Sequence, residues 1–454
     1  MTQKKSINFG FRGWILILFQ AAGFYTYCIF NSFAQNIQAG GNAEFFGWNP
    51  NMVSTVYTIT VLLTIVFQFA AAGKVATAKS VKKLALIFEI ISLIFGVLMA
   101  TVFVSEVLWL IFFACAIFFS LVGATLIMGI LVGQWFPRRK GTVMGIATFA
   151  FPITNAFLSL FATKYFMYNG MGMRMGTLLA YAPYLIVSVI VLILGAVFLK
   201  DYPEQAGCYR DNDRSLTPDA ARAIMEAEIA AKKNSVWKLG NTLKMGDFWL
   251  LVIPQGLLLA SSVGAMCQII NILNLYPEVY EKYGNIQMLG VCVVACFGSW
   301  LLGVIDTKFG TKKAIIISSV LMIISGVLGF IQSLPTLMIS LALLCVFEGA
   351  ASNFGVSSAA QYWRREDFAT VWGWENPAIN VIQAFGPMLV AIVGAKAGFP
   401  VVFGIFAILG IISLVLIILF KPARIAARDA KYRAEAGLNA EGVTKSNAEL
   451  MGEK

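Results

Sequence analysis

The sequence predicts an all-α membrane protein, with twelve transmembrane helices that form two pseudo-symmetric halves of six helices each. Of its 454 residues, 59% are hydrophobic and only 13% are charged, and the mean hydropathy is +0.78. A soluble domain usually contains about 25% charged residues. Twelve apolar runs also reach the roughly 20 residues that a helix needs to cross a bilayer.

A repeated motif supports the division into two halves. The stretch QWFPRRKGTVMG at 134–145 returns in a looser form, QYWRREDFATVWG, at 361–373. Each copy has a glutamine, two aromatic residues, an arginine pair and a Thr-Val-x-Gly sequence, and each lies between two apolar runs. A long repeat carried by turns between membrane-length segments is typical of fused membrane halves.

The predicted spans follow one another through short turns, with two exceptions. A glycine- and asparagine-rich outer loop is expected after the first span, and a polar stretch with a surface-helix pattern at 218–233 follows the sixth. The spans are expected at about 13–34, 50–73, 83–104, 106–134, 141–168, 176–199, 247–275, 286–305, 312–331, 335–361, 368–395 and 399–420. The expected units are a first half at 1–200, a linker at 201–246, a second half at 247–421 and a tail at 422–454.

The distribution of basic residues predicts the orientation. The net charge of +11 does not indicate nucleic-acid binding, because the basic residues fall in turns rather than on one face. Of the 34 lysines and arginines, one side of the predicted bundle holds only Lys164, Arg174, Lys282 and Lys396. This asymmetry is the positive-inside signal, so we expect a multi-pass protein of the inner or plasma membrane, surrounded by lipid, with both termini cytoplasmic.

The sequence predicts no cofactor and no metal site. It contains no histidine, which is the commonest metal ligand and proton shuttle. Its seven cysteines lie mostly inside apolar runs, where cysteine serves as a small packing residue. No pair of nucleophile and base stands out, so an enzyme is not expected.

The turn GVIDTKFGTKK at 303–313 resembles the signature cytoplasmic turn of the major facilitator superfamily. Asp306, Lys308 and Gly310 have the residue types of that signature. The resemblance implies a twelve-helix transporter that works by alternating access, with this turn taking part in gating. The corresponding first-half turn has Thr77 in place of the acid, so the charge network of the family is not expected there.

Two further stretches are similar to the oxalate/formate antiporter and monocarboxylate-like branch of that superfamily. They are WFPRRKG at 135–141 and YPEQAG at 202–207, and this resemblance implies an organic anion as the substrate. The oxalate carriers of the branch are associated with an arginine on the eighth helix and a lysine on the eleventh. Here the eighth predicted span has no base, and the eleventh has only Lys396 at its outer end. A dianion is therefore not expected, because two charges in a dry cavity need fixed positive partners.

The arginine pairs of the repeated turns are predicted to set the topology and to gate the inner face. They are Arg138 with Arg139 in the first copy and Arg364 with Arg365 in the second.

Two carboxylates inside the membrane are candidates for proton coupling. Glu348 lies midway along the tenth predicted span, about 20 Å from either end by helical rise. A carboxylate there is costly unless it is paired, hydrated or protonated, so Glu348 is either a proton carrier or solute ligand, or a packing acid. Glu375, about 10 Å from the cytoplasmic end of the eleventh span, either titrates in the inner vestibule or pairs with Arg364 or Arg365. Glu89 is expected to be a structural acid.

Polar side chains recur at helical spacing on four predicted spans, where each group shares one helix face. The groups are Gln20, Tyr27 and Asn31 on the first span, Thr148, Asn155 and Ser159 on the fifth, Ser261, Gly264, Gln268 and Asn271 on the seventh, and Trp372, Asn376, Asn380 and Gln383 on the eleventh. In the superfamily that the chain resembles, these helices line the central cavity, which implies a hydrated binding site. Hydrogen bonding between helices explains each group equally well on its own.

The combined prediction is a secondary active transporter that moves a small organic solute by alternating access, through proton coupling or exchange. A cavity with amides, hydroxyls, aromatic residues and at most two acids, but no base at the midplane, indicates a monoacid, a neutral solute or an amphipathic solute. The resemblance to the monocarboxylate-like branch implies a carboxylate, so an organic monoacid is the expected substrate. An exporter of amphipathic drugs or organic cations by proton antiport is the alternative within this class. A ligand sensor that keeps the transporter fold is the alternative outside it, and a monomer is expected in each case.

Overall fold

The computed structural model describes residues 8–157 and 172–438, together with 446, 448 and 449. All regular structure in these residues is helical. Eleven of the helices are long and apolar enough to cross a membrane, and we number them as the first to fourth and the sixth to twelfth spans. They are Phe11–Asn31, Pro50–Ala76, Val81–Thr101, Glu106–Trp135, Met175–Phe198, Gly246–Cys267, Pro277–Phe309, Thr311–Ile331, Leu334–Tyr362, Arg365–Ala397 and Phe399–Leu419.

The fifth span is described only in its first part. Two short helices, Lys140–Ala147 and Ala150–Phe157, continue the bundle after the fourth span. The remainder of the predicted span at 141–168 lies outside the described residues. Eleven complete spans and the beginning of the fifth agree with the predicted twelve-helix fold.

The first span continues further than the sequence suggested. A π-helix, Ile29–Gln38, and an α-helix, Ala39–Phe46, continue the helix through the stretch after residue 34, which the sequence predicts to be a glycine- and asparagine-rich loop. That prediction was wrong because Gly41 and Asn42 are buried by packing, which overrides their weak helix propensity. The helix ends at Gly47, whose φ of 68° is a conformation that favours glycine.

Polar caps determine where several helices begin. Asn49, Ser80 and Ser105 precede the second, third and fourth spans, and each side-chain oxygen accepts a hydrogen bond from a backbone N–H of the first turn. Such caps satisfy donors that the helix itself leaves without a partner. Thr217 caps Pro218–Lys232 in the same way. This helix, which we call the linker helix, lies close to the predicted position at 218–233.

Large apolar side chains remain exposed on the outside of the bundle. On two of the spans they include Ile186, Val187, Ile190, Ile193 and Val197 of the sixth, and Ile408, Ile411, Val415 and Ile418 of the twelfth. Contiguous apolar surface of this kind is unfavourable in water but matches lipid tails. The outer surface is therefore that of a membrane-embedded bundle.

The two halves approach each other most closely near one end of the bundle. We call this end the linker face, because it carries the linker helix. A Cβ atom added to Gly303 would lie 2.5 Å from the carbonyl oxygen of Gly141, and one added to Gly373 would lie 2.8 Å from the Cβ of Ala72. Only glycine allows such contact between helices. The fifth span thus meets the eighth, and the second meets the eleventh.

Candidate functional site

A cavity of about 420 Å³ lies between the two halves. On the second span its wall extends over 54–61, and on the eleventh span over 372–391. Nearer the linker face, Ala72 of the second span and Gly373 of the eleventh pack against each other instead. The cavity is therefore closed at the linker face and extends toward the opposite end of the bundle.

The first-half wall of the cavity carries a pair of tyrosines. The hydroxyl oxygens of Tyr27 and Tyr57 lie 2.8 Å apart. Asn31 and Gln35 occupy the next turns of the continuous helix, within Ile29–Gln38, and the Gln35 side-chain amide donates a hydrogen bond to the side-chain carbonyl oxygen of Asn31. All four side chains line the cavity. Because a tyrosine hydroxyl both donates and accepts, this wall can bind either kind of polar group on a solute.

Glu348 is the one charged side chain that lines the cavity among the described residues. It is 7% exposed, and no ion pair or hydrogen bond to its carboxyl group occurs within the described part of the chain. A buried carboxylate without a partner is costly, so this group must be protonated or must face water or a solute. The position of Glu348 therefore allows it to exchange a proton with the cavity.

The polar group of the eleventh span, which we call the stripe, faces the cavity and also contacts the first half. All four side chains of the stripe line the cavity: Trp372, Asn376, Asn380 and Gln383. The Trp372 indole N–H donates to the carbonyl oxygen of Leu126 at 3.1 Å. The side-chain amides of Asn376 and Asn380 donate to the side-chain carbonyl oxygen of Gln68 at 3.0 and 3.4 Å. The stripe thus forms cavity wall and inter-half contact at once.

Gln268 lies where the seventh span breaks. Gly246–Cys267 ends there and a short helix, Ile269–Leu273, follows. The prediction of one helix to residue 275 was wrong, because Gln268 leaves the helical backbone conformation at φ −117°. Gln268 lines the cavity. Asn271 is exposed and does not line the cavity; its side-chain amide donates to the side-chain carbonyl oxygen of Gln268 at 2.7 Å.

Two other side chains of the predicted site are not found at the cavity. Gln20 is fully buried, and its amide donates to the carbonyl oxygen of Ala124 at 3.0 Å. The expectation that Gln20 contacts the solute is therefore corrected: it joins two helices of the first half. Asn155 belongs to Ala150–Phe157, but its side chain lies outside the described part of the structure, so its role stays a prediction.

Two buried carboxyl groups lie away from the cavity. Glu375 accepts hydrogen bonds from the Ser358 hydroxyl and, at 3.1 Å, from the Gln255 amide. These partners replace the arginine that the sequence offered as one alternative. Glu89 accepts a hydrogen bond from the Thr26 hydroxyl at 2.6 Å. Both carboxyl groups therefore join helices within their own half.

The predicted gating turn lies at the linker face. Asp306 accepts a hydrogen bond from the Thr311 hydroxyl at 2.7 Å and packs against Gly141, where any side chain would collide with the carboxylate. Gly310 ends the eighth span with a φ of 89°, a conformation that favours glycine. Lys308, in the last turn of that span, is exposed. The turn therefore joins the end of the eighth span to the beginning of the fifth.

The first arginine pair holds the linker. The backbone N–H groups of Arg138 and Arg139 donate to the Asp211 carboxylate at 3.2 and 2.9 Å. Burial raises the pKa of Asp211, although these hydrogen bonds oppose the rise. Arg138 and Arg365 both line a smaller pocket of about 140 Å³ beside the linker.

The second arginine pair lies against the tail helix, Pro422–Glu435. The Arg364 guanidinium pairs with Asp429 at 2.5 Å, and Arg433 pairs with Asp367 at 2.6 Å. Burial alone would lower the pKa of Arg433, but the carboxylates of Asp367 and Asp429 outweigh it and raise the pKa. These ion pairs fasten the tail helix to the beginning of the eleventh span.

A buried ion cluster holds the linker helix. Arg210 pairs with Glu204 at 2.7 Å and also with Glu228, while Lys232 lies 3.7 Å from Glu228. Burial alone would raise the pKa of Glu228, but the charges of Arg210 and Lys232 outweigh it and lower the pKa. Burial lowers the pKa of Lys232, and its ammonium group also donates to the Tyr202 hydroxyl.

Sequence reasoning missed three residues of the site. Tyr57 and Thr125 line the cavity, and Gln68 lies behind its wall, fully buried. A signal for Gln68 exists, because Thr60, Thr64 and Gln68 recur every fourth residue, and every other residue in 60–68 is apolar. Thr60, Thr64 and Gln68 are all buried.

The fold and the central cavity define a membrane transporter rather than an enzyme. The family model of the Major Facilitator Superfamily matches residues 13–303 and 258–448. The chain belongs to this superfamily. No curated protein matches the chain.

Solved structures show the same fold. The proton:xylose symporter XylE, bound to 6-bromo-6-deoxy-D-glucose, matches with a TM-score of 0.69 at 14% identity, over 89% of this chain and 95% of that one. The human organic anion transporter MFSD10 matches with a TM-score of 0.63 at 14% identity, over 89% and 98%. A double tryptophan mutant of XylE matches with a TM-score of 0.67 at 14% identity, over 93% and 99%.

Proposed function

We propose that the protein moves a small organic monoacid across the cell membrane by alternating access, together with a proton carried on Glu348. The observation that supports this most is the charge of the cavity wall. Glu348 lines the cavity, and no lysine or arginine does so among the described residues. A dianion would find no fixed positive partner in this cavity. A monoanion would find none either, and an ionised Glu348 would repel it.

The charge of the wall links solute binding to protonation. A carboxylate solute enters this site at acceptable cost only when Glu348 is protonated, because two like charges in a low-dielectric cavity repel strongly. Solute and proton then cross together as one neutral pair. The Tyr27 and Tyr57 hydroxyls and the Asn380 amide offer neutral donors for the solute carboxylate.

We propose that the units at 1–200 and 247–421 rock about this cavity, with the linker face in the cytoplasm. The excess of lysine and arginine at that end supports this orientation. The arginine pairs at 138–139 and 364–365, with the turn at 306–310, then form the inner gate, as alternating access requires. The transporter works as a monomer.

A second candidate is export of organic cations or amphipathic drugs by proton antiport. The same carboxyl group favours it, because a cation competes directly with the proton on Glu348. Phe24, Phe151 and Trp372 also line the cavity, and aromatic faces attract organic cations. The two candidates therefore differ in the sign of their pH dependence.

A thermal-shift screen over organic monoacids, organic cations, amino acids and neutral polyols tests the proposal, since a ligand stabilises the state that binds it. The screen is run at about pH 5.5 and about pH 8, on either side of neutral. Stabilisation by monoacids that grows at the lower pH is expected. Stabilisation by cations that grows at the higher pH would replace the monoacid with the second candidate. Uptake of the hit by proteoliposomes then separates a transporter from a sensor, which binds without flux.

A further inference from the structure

Four polar side chains form a closed hydrogen-bond cluster across the boundary between the halves. The carbonyl oxygen of Gln68 accepts from the amide of Asn376 at 3.0 Å and from that of Asn380 at 3.4 Å. The Gln68 amide donates to the Thr125 hydroxyl oxygen at 3.2 Å, and the Asn376 amide donates to the same oxygen at 3.3 Å. We call these four side chains the amide cluster.

The hydrogen bonds use the full acceptor capacity of Gln68 and Thr125, the two members from the first half. A side-chain carbonyl oxygen has two lone pairs, and both of those on Gln68 accept from the opposite half. The Thr125 hydroxyl donates to the carbonyl oxygen of Leu121 at 2.7 Å, so its oxygen is free to accept from the two amides. A buried polar group that loses such partners pays its desolvation cost without compensation. Separating the halves at this point therefore has a definite energetic cost.

The cluster lies between the cavity and the closed linker face. Asn376, Asn380 and Thr125 line the cavity, while Gln68 is 0% exposed behind them. One helical turn nearer the linker face, Ala72 contacts Gly373. The bonds from Gln68 to Asn376 and Asn380 therefore hold the second and eleventh spans together one turn away from the contact that closes the linker face.

We propose that Gln68 is a positioning residue of the transport cycle, which holds the Asn376 and Asn380 amides and thereby keeps the linker face closed. It acts through the two asparagines and does not itself reach the cavity. Since an asparagine N–H only donates, a solute competes with Gln68 by offering an acceptor, such as a carboxylate or hydroxyl oxygen. Binding at the cavity and opening of the linker face are thus linked through one side chain. The inference rests on the transporter class and not on the identity of the solute.

Hydrogen–deuterium exchange of the full chain in nanodiscs, without any ligand, tests this proposal. Gln68→Leu keeps the volume of the side chain and removes its hydrogen bonds. Amides at 69–76 and 366–373 should then exchange about tenfold faster, as expected for the loss of one or two hydrogen bonds of ordinary net strength. Peptides that face the cavity at 54–61 should exchange more slowly, because water leaves that side when the linker face opens.

The matched control is Gln20→Leu, which removes an equally buried amide whose bond lies within the first half. It should leave the exchange of both linker-face segments unchanged. Thr125→Val should act like Gln68→Leu, and Thr125→Ser, which keeps the hydroxyl, should restore slow exchange. The proposal is overturned if Gln68→Leu and Gln20→Leu give the same exchange pattern, or if Gln68→Leu changes only the global unfolding temperature.

Discussion

The hydroxyl oxygens of Thr148 and Ser299 lie 2.7 Å apart, where the fifth span crosses the eighth. The same Ser299 hydroxyl donates to the carbonyl oxygen of Gly145 at 3.1 Å, and the Asn353 amide donates to Thr148 at 3.1 Å. Small residues and hydroxyls thus bring the halves into direct backbone contact on the linker side of the cavity. In a membrane, close packing of this kind replaces the hydrophobic effect as the force between helices.

Gly145→Ala is expected to weaken closure of the linker face. The added Cβ would lie 2.8 Å from the Ser299 carbonyl oxygen and 3.3 Å from the Gly303 Cα, so the two spans must move apart. Faster hydrogen–deuterium exchange at 140–147 and 299–303 would show this. Gly73→Ala is the control, because a Cβ there meets nothing within 4 Å. Equal exchange in the two variants would show that the crossing tolerates an extra methyl group.

Glu348→Gln is expected to remove the pH dependence of net uptake while exchange of solute for solute continues. The amide cannot release a proton, so the step that couples solute to proton is lost, but the shape of the cavity is kept. The measurement compares pH-driven uptake with counterflow in proteoliposomes. Glu375→Gln serves as the comparison, since that carboxyl lies away from the cavity. Retention of wild-type pH dependence in Glu348→Gln would exclude the residue as the proton carrier.

Tyr57→Phe is expected to weaken binding of the monoacid about fivefold, which corresponds to the loss of one hydrogen bond of ordinary net strength. Folded yield should not change, because only one cavity-facing hydroxyl is removed. Isothermal titration of a hit from the thermal-shift screen provides the affinity. Tyr181→Phe is the control: its hydroxyl donates to Gln38 at 2.7 Å and does not belong to the cavity lining. If both variants bind equally well, the tyrosine pair does not contact the solute.

Glu228→Gln is expected to destabilise the linker by about 3–5 kcal/mol at neutral pH, because it leaves Arg210 buried with one carboxylate fewer. The pKa of Glu228 is lowered below its ordinary 4.5 in the folded state. Its contribution to stability is therefore complete above about pH 4.5 and is lost as the pH falls through the lower, folded-state pKa.

Thermal unfolding of the wild type and Glu228→Gln at about pH 7 and about pH 3 checks this sign. The unfolding temperatures of the wild type and of Glu228→Gln should lie closer together at the lower pH than at the higher pH. Glu226→Gln, which changes an exposed acid of the same helix, should have little effect at either pH. A constant difference across this range would mean that Glu228 contributes through packing rather than charge.

Hydropathy and periodicity determined the framework of this protein. The twelve spans, the duplicated turns and the midspan position of Glu348 follow from local composition and helical rise, which do not depend on how the helices pack. The linker helix was predicted to within a residue at its end, because Thr217 and Pro218 form a standard helix beginning. The loop after the first span was mispredicted because burial, and not propensity, makes it helical.

Only the tertiary structure decided which polar side chains face the cavity. Gln20 and Tyr27 share one helix face, yet Gln20 joins a neighbouring helix and Tyr27 lines the cavity. Glu348 and Glu375 are both carboxylates inside predicted spans and both are candidates for proton coupling, yet of the two only Glu348 is part of the wall. A polar stripe looks identical whether it meets a solute or another helix, because its partner comes from a distant part of the chain. The contact that Gln68 makes between the halves is visible only in the packed structure, because its partners Asn376 and Asn380 lie on the eleventh span.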